Sequence, residues 1–173
     1  MTTVSERGTL VCRRPDGTVD LFRARWGGDD GVLRRAIGTS PRTVTGLVDW
    51  RIERRGLPVE AVAEAVDYLA TDVVYWTGLG GTTVFLPLWF GLPGWRADPG
   101  LGAMVPVGSL PGARRMRRTW RGLRGALAGA IETGRLPAVA APAVLVASLP
   151  RRGLVLPEPV RGVVCHHTPP AGE

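Results

Sequence analysis

Lysine, asparagine and glutamine are absent from the 173-residue sequence, so all 22 cationic side chains are arginines. Cysteine and histidine occur only twice each, as Cys12, Cys165, His166 and His167. Two cysteines are too few for a disulfide framework. Because neighbouring residues of a strand point in opposite directions, only one of the two histidines could join a cysteine in a site. A metal centre would have two or three ligands at most, so we predict no metal and no cofactor.

Catalytic motifs are also missing. The sequence GLGGTT at residues 78–83 lacks the lysine of a Walker loop, which favours a hairpin turn over a phosphate cradle. Ser109 directly follows the first glycine of GSLPG, unlike the serine of a nucleophile elbow. The remaining catalytic alternative is a small enzyme in which Cys12 is the nucleophile and His166 its base. Alternation places Cys12 with Leu10 on an apolar side, which favours a buried, inert thiol and a noncatalytic protein.

The length and the 45% hydrophobic fraction fit one globular domain over residues 1–173, with residues 1–7 and 167–173 as flexible ends. No basic-then-apolar pattern of a signal peptide opens the chain, which favours a cytoplasmic protein. Residues 73–95 carry no charge and are long enough to cross a bilayer. Their glycines and prolines fit a β-hairpin better, so we do not expect a membrane span.

Alternating patterns and turn residues predict an α+β fold, in which an antiparallel sheet built from hairpins carries two amphipathic helices on one face. In the first hairpin, we expect one inner face to hold Leu10, Cys12, Phe22, Ala24 and Trp26. Pro87 indicates an edge or a bulge in the second hairpin, since proline cannot donate to a ladder. The predicted segments are hairpins at residues 10–28 and 72–90, strands at 43–53, 103–107 and 160–166, a helix at 58–70, and a helix or buried strand at 136–149.

Positive charge is concentrated in the second half of the chain. Residues 1–86 contain eleven arginines and eleven acids, whereas residues 87–173 contain eleven arginines and four acids, so the net charge of +7 belongs to the second half. Six of these arginines fall within eleven residues, and no acid lies between Asp98 and Glu132. They are Arg114, Arg115, Arg117, Arg118, Arg121 and Arg124.

At 100° per residue, this arginine-rich segment forms an amphipathic helix whose apolar stripe lies opposite the arginines. The stripe consists of Met116, Trp120, Leu123, Leu127 and Ile131. Guanidinium groups bind phosphate through a planar fork, so we predict that the six arginines bind DNA, RNA or another polyanion. The alternative is that these arginines form a solvated face or pair with Glu60, Glu64 and Asp67 of the first helix. A membrane surface is a rival partner, but the apolar stripe is needed to attach the helix to the core.

Aromatic residues in a loop rich in glycine and proline suggest a second binding surface. Trp89, Phe90 and Trp95 could anchor a protein partner or a homo-oligomer. Their alternative role is burial in the core of the chain itself.

The stretches RRPDGTVDLFRARWGG, DYLATDVVYW and FLPLWFGLPGW together resemble an uncharacterised haloarchaeal family. In that family, a short N-terminal hairpin ending in tryptophan and glycine precedes a tyrosine-leucine pair, a strand and a tryptophan-phenylalanine-glycine-leucine segment. The resemblance covers about residues 8–95. It implies no catalytic residues, because the family has no established activity. The family usually carries a histidine or an aromatic residue just before the tryptophan that ends the hairpin, where this chain has Ala24 and Arg25. The basic composition of the chain also differs from the acidic composition typical of halophiles.

Overall fold

The computed structural model describes residues 7–92, 99–158, 160 and 161, which contain a six-stranded sheet with helices on both of its faces. The strands are β1 (Gly8–Arg13), β2 (Val19–Ala24), β3 (Arg51–Leu57), β4 (Val73–Gly78), β5 (Gly81–Trp89) and β6 (Gly102–Val107). The helices are α1 (Asp30–Ala36), α2 (Pro41–Thr45), α3 (Val62–Ala65), α4 (Leu110–Glu132) and α5 (Ala141–Ala147). Short 3₁₀ turns are Val59–Ala61 and Ala138–Ala140.

The predicted α+β class is confirmed. The strand order is β3-β2-β1-β4-β5-β6, and four of the five neighbouring pairs are antiparallel. The pair β1·β4 is parallel, so the sheet is mixed rather than wholly antiparallel. Parallel neighbours require a crossover, and here the chain passes from β3 to β4 through residues 58–72, which include α3.

The first hairpin is confirmed as β1 and β2. Gly17 has φ of +86°, and the Thr18 amide donates to the Asp16 carboxylate at 3.0 Å, so the turn chemistry is local. The predicted single inner face is wrong in one respect, because Trp26 lies in a turn after β2 and is 55% exposed. Val11 and Leu21 are buried on the opposite side from Leu10, so this hairpin is covered on both faces.

The second hairpin is also confirmed, as β4 and β5, with Gly81 at φ of +115°. Pro87 lies where β5 has a partner on one side only, since the ladder to β4 ends at the pair Val74 and Phe85. Met104, opposite Pro87, forms both of its backbone bonds with Val155. The missing amide of Pro87 therefore costs no ladder bond, as expected for proline at a local edge.

The two outer strands are protected differently. The predicted strand at residues 43–53 is wrong at its start, where α2 begins after Ser40, and right from Arg51, where β3 begins. Most of β3 is exposed, and its charged side chains discourage pairing with another chain. The predicted strand at 103–107 is confirmed as β6, and Val155 covers its outer edge.

The helices occupy opposite faces of the sheet, which corrects the expectation of two helices on one face. Trp120 and Leu127 of α4 belong to the same buried cluster as Leu10 of β1 and residues of α1 and α5. Val62 of α3 belongs to a second cluster, which includes Val11 of β1. Strand side chains alternate between the faces, and both sets are apolar, so each face needs a cover.

The helix predicted at residues 58–70 is much shorter than expected. After α3, Val66 is extended, with ψ of 127°. The Asp67 carboxylate accepts hydrogen bonds from the amides of Leu69 and Ala70, and such side-chain bonds compete with helix formation. Residues 136–149 contain α5, with Pro142 in its first turn. The strand predicted to begin at Val160 is wrong there, because Val160 is helical; residues 162–166 lie outside the described part of the chain.

Candidate nucleic-acid interface

The arginine-rich segment forms α4, and its predicted apolar stripe faces the sheet. The Ser109 hydroxyl accepts a hydrogen bond from the Gly112 amide and caps the start of the helix. Trp120 anchors the middle: its indole Nε1 donates to the Trp89 carbonyl at 3.0 Å, and its ring lies 5.5 Å from that of Phe90. Leu127 is buried in the same core, and Met116, Leu123 and Ile131 pack against it partly buried. The opposite side of α4 is therefore directed away from the sheet.

Two of the six arginines share one carboxylate, which offsets one of their two positive charges. Arg114 binds Asp30 through Nε and Nη2, at 2.9 and 2.7 Å. Arg117 Nη1 lies 3.5 Å from the other oxygen of Asp30, and its Nη2 donates to the Asp72 carbonyl. These contacts attach α4 to the start of α1. The neighbour of Asp30, Asp29, caps α1 by accepting a hydrogen bond from the Gly31 amide.

Arg124 is occupied by neutral groups. Its Nε and Nη2 donate to the Gly91 carbonyl at 3.0 and 2.7 Å, and its guanidinium carbon lies 4.8 Å from the centre of the Trp89 ring. Burial lowers the pKa of Arg124. Arginine side chains are effectively always protonated in proteins, so the guanidinium keeps its charge at neutral pH. Its role in the structure is to hold residues 89–91 against α4.

The other three arginines face outward. Within the described residues, no ion pair or hydrogen bond engages the side chains of Arg115, Arg118 and Arg121. They recur at every third position and so lie along one side of the helix. The acids once considered as partners, Glu60, Glu64 and Asp67, belong to the segment that covers the second face of the sheet. They lie across the sheet from α4. The acid that pairs with arginines of α4 is Asp30.

A smooth strip of glycine continues this open side toward the end of α4. A Cβ atom built at Gly122, Gly125 or Gly129 would meet nothing within 4 Å. Each glycine costs roughly 1 kcal/mol relative to alanine inside a helix. No close contact within the described chain therefore requires glycine at these three positions.

The aromatic surface is largely internal. Phe90 is fully buried, which corrects its assignment as an interface anchor: its ring belongs to the core beneath Trp120. Trp89 is partly buried and lies under the guanidinium of Arg124. Trp95 lies outside the described residues.

Cys12 lies on β1 opposite Thr77 of β4 and Asp20 of β2. Burial raises the pKa of the Cys12 thiol, a hydrogen bond with Thr77 opposes this effect, and the Asp20 carboxylate raises it again. A raised pKa leaves little thiolate, which is the reactive form. His166, Cys165 and His167 lie outside the described residues. In the described ranges, no three histidine, cysteine, aspartate or glutamate residues form a group that could hold a metal ion.

We expect Cys12 to be alkylated slowly in the folded protein. In a Cys165→Ala variant, iodoacetamide at pH 8 should react with Cys12 at least about tenfold more slowly than with the unfolded chain, because the native thiolate fraction is low. The rate should keep rising with pH beyond the range in which a free thiol levels off. Fast labelling near pH 7 would contradict a half-buried thiol with a raised pKa and would favour the nucleophile hypothesis.

Comparison with protein families, curated proteins and solved structures finds no match to this chain. The resemblance to the haloarchaeal family therefore stays a prediction. Of the helices in the described part of the chain, none combines the length and the hydrophobicity needed to cross a bilayer.

Proposed function

We propose that this chain is a noncatalytic, cytoplasmic protein that binds DNA or RNA through the open side of α4. The observation that carries the proposal is the row of three outward guanidinium groups without a carboxylate partner among the described residues, namely Arg115, Arg118 and Arg121. Solvent-exposed arginines that lack an internal partner are available to bind phosphate. The three other predicted arginines keep α4 in position.

The spacing of the row suits a phosphate backbone. Arg115 and Arg121 are six residues apart, which corresponds to about 9 Å along a helix axis. One DNA strand presents a phosphate for about every 3.4 Å of its own axis, so several phosphates fall within reach of three arginines. The exposed glycine strip beyond Arg121 lets a sugar-phosphate backbone approach the helix closely. Neither feature reads bases, so binding is expected to depend weakly on sequence.

The packing of α4 favours nucleic acid over a membrane surface. An interfacial helix inserts its apolar side into the lipid headgroup region. In α4 this side is turned to the sheet, where Trp120 is only 6% exposed and Leu127 only 7%. Entry into lipid would require the helix to leave the core.

The test is fluorescence anisotropy with labelled duplex DNA and with RNA, at several salt concentrations. Three phosphate contacts predict that the logarithm of affinity falls against the logarithm of salt with a slope of about −2.7 on duplex DNA. Replacing Arg115, Arg118 and Arg121 together with alanine should abolish most of this slope and weaken binding about tenfold or more at low salt.

A charge-matched control separates a site from general attraction. Arg42, Arg54 and Arg55 are exposed on α2 and β3, and replacing them with alanine removes the same three charges. This control variant should bind nearly as well as the original protein. Absence of binding to both nucleic acids, or equal losses in the two triple variants, would refute the assignment to α4.

A further inference from the structure

A concave groove lies at the edge of the sheet where β1 begins, β2 ends and β3 begins. Its volume is about 650 Å³, which lies within the range of small-molecule sites. Apolar and charged side chains line it together. The lining includes Arg7, Arg25, Trp26, Asp49, Arg51 and Ile52.

An aromatic platform stands in this groove on a fixed backbone. Trp26 is 55% exposed and Ile52 is 42% exposed, although both line a concavity. The next residue, Gly27, is held firmly: its carbonyl accepts a hydrogen bond from the Tyr75 hydroxyl at 2.6 Å, and its backbone lies against that of Gly8. The indole of Trp26 is thus presented by an anchored turn, and a ligand that stacks on it meets little cost of ordering the backbone.

The charge around the platform is positive and largely uncompensated. Arg23 is paired with Glu53 at 2.9 Å. The remaining groove residues include three arginines and only one acid, Asp49, and no ion pair joins any of the three to an acid within the described chain. These three are Arg7, Arg25 and Arg51. Arg7 is also fixed through its backbone, which exchanges two hydrogen bonds of 2.8 Å with Asp72.

We propose that this groove binds a nucleotide, with the base stacked on the indole of Trp26 and the phosphate held by Arg25 and Arg51. An exposed aromatic ring and adjacent unpaired guanidinium groups match the two parts of a nucleotide, a flat base and an anion. A protein partner fits less well, because the feature is a pocket of ligand size rather than a broad surface. The site is separate from the open side of α4 and does not depend on the function proposed for it.

The test is isothermal titration calorimetry with AMP, ATP and a short single-stranded oligothymidylate. All should bind, and ATP should bind more tightly than AMP because it carries more negative charge. Trp26→Ala should weaken binding about tenfold or more, whereas Trp26→Phe, which keeps an aromatic face, should retain most of the affinity. Replacing Arg25 and Arg51 with alanine should weaken the binding of ATP much more than the binding of adenosine, which is titrated as the ligand without phosphate. Circular dichroism checks that each variant is folded.

The source of the nucleotide, and the independence of the groove from α4, are tested with the variant that lacks the outward arginines of α4. In the triple alanine variant at Arg115, Arg118 and Arg121, tighter binding of the oligothymidylate than of ATP would identify single-stranded nucleic acid as the ligand of the groove. The reverse order would identify a free nucleotide. The triple alanine variant at Arg115, Arg118 and Arg121 should bind ATP like the original protein. The proposal is overturned if none of AMP, ATP and the oligothymidylate binds, or if Trp26→Ala binds ATP as tightly as the original protein. It is also overturned if light scattering shows that Trp26→Ala changes self-association while ATP binding stays the same.

Discussion

Replacing Trp120 with alanine is expected to destabilise the protein by about 3–5 kcal/mol, the range for removing a large aromatic side chain from a core. Trp120 is 6% exposed, contacts Phe90 and is the residue whose indole donates to the Trp89 carbonyl. The substitution removes the packing and leaves that carbonyl without its donor. For a chain of this length, the midpoint of thermal unfolding should fall by roughly 6–20 °C.

The measurement is chemical unfolding followed by far-ultraviolet circular dichroism. Trp26→Ala is the matched control, since it deletes the same side chain from a position that is 55% exposed and should cost well under 1 kcal/mol. Trp120→Phe should fall between the two, because it keeps much of the packing but loses the donor. If Trp120→Ala and Trp26→Ala were equally stable, α4 would not be attached to the sheet through Trp120. The outward direction of its arginines would then lose its support.

Local patterns in the sequence were sufficient for the hairpins and for α4. The turns at Gly17 and Gly81 depend on a backbone conformation that glycine adopts freely, so neighbouring residues specify them. The stripe of α4 follows from helical periodicity alone, and the structure places it against the core. Which side of α4 faces outward could therefore be inferred before any tertiary contact was known.

The partners of the arginines could not be inferred in the same way. Arg114 and Asp30 are 84 positions apart, and their contact depends on the order of strands in the sheet and on the face that α1 covers. Sequence spacing carries neither quantity. Glu60 and Glu64 seemed suitable partners by charge, but the segment that carries them crosses the sheet on the second face.

The errors at residues 58–70 and at Trp26 have a common physical origin. Apolar residues at helical spacing also fit a segment that lies flat on a sheet, where Val62 and Val66 point inward and Leu69 is 55% exposed. In the first hairpin, alternation was extended past the end of β2 into the turn that holds Trp26. In both cases the spacing of apolar residues continues past the end of the helix or strand, so the pattern alone does not locate that end.

The turn that presents Trp26 depends on close contact between the backbones of Gly8 and Gly27. A Cβ atom at Gly8 would lie 2.6 Å from the Cα and carbonyl carbon of Gly27, closer than such atoms approach in proteins. Gly27 cannot retreat easily, because Tyr75 binds its carbonyl and the Trp50 ring lies behind it. Gly8→Ala should therefore destabilise the protein by about 1–3 kcal/mol, despite the restriction that alanine places on the unfolded chain.

Gly78→Ala is the matched control for Gly8→Ala. Gly78 ends β4, its φ is not positive, and an added Cβ would meet nothing within 4 Å. Its substitution should leave the free energy of unfolding within about 1 kcal/mol of the original value. Gly8→Ala should also weaken ATP binding, because a shifted Gly27 carries the indole of Trp26 with it, whereas Gly78→Ala should not. Equal stability of the two variants in urea unfolding would show that the close contact between Gly8 and Gly27 does not fix this turn, and the argument for a preorganised nucleotide platform would fail with it.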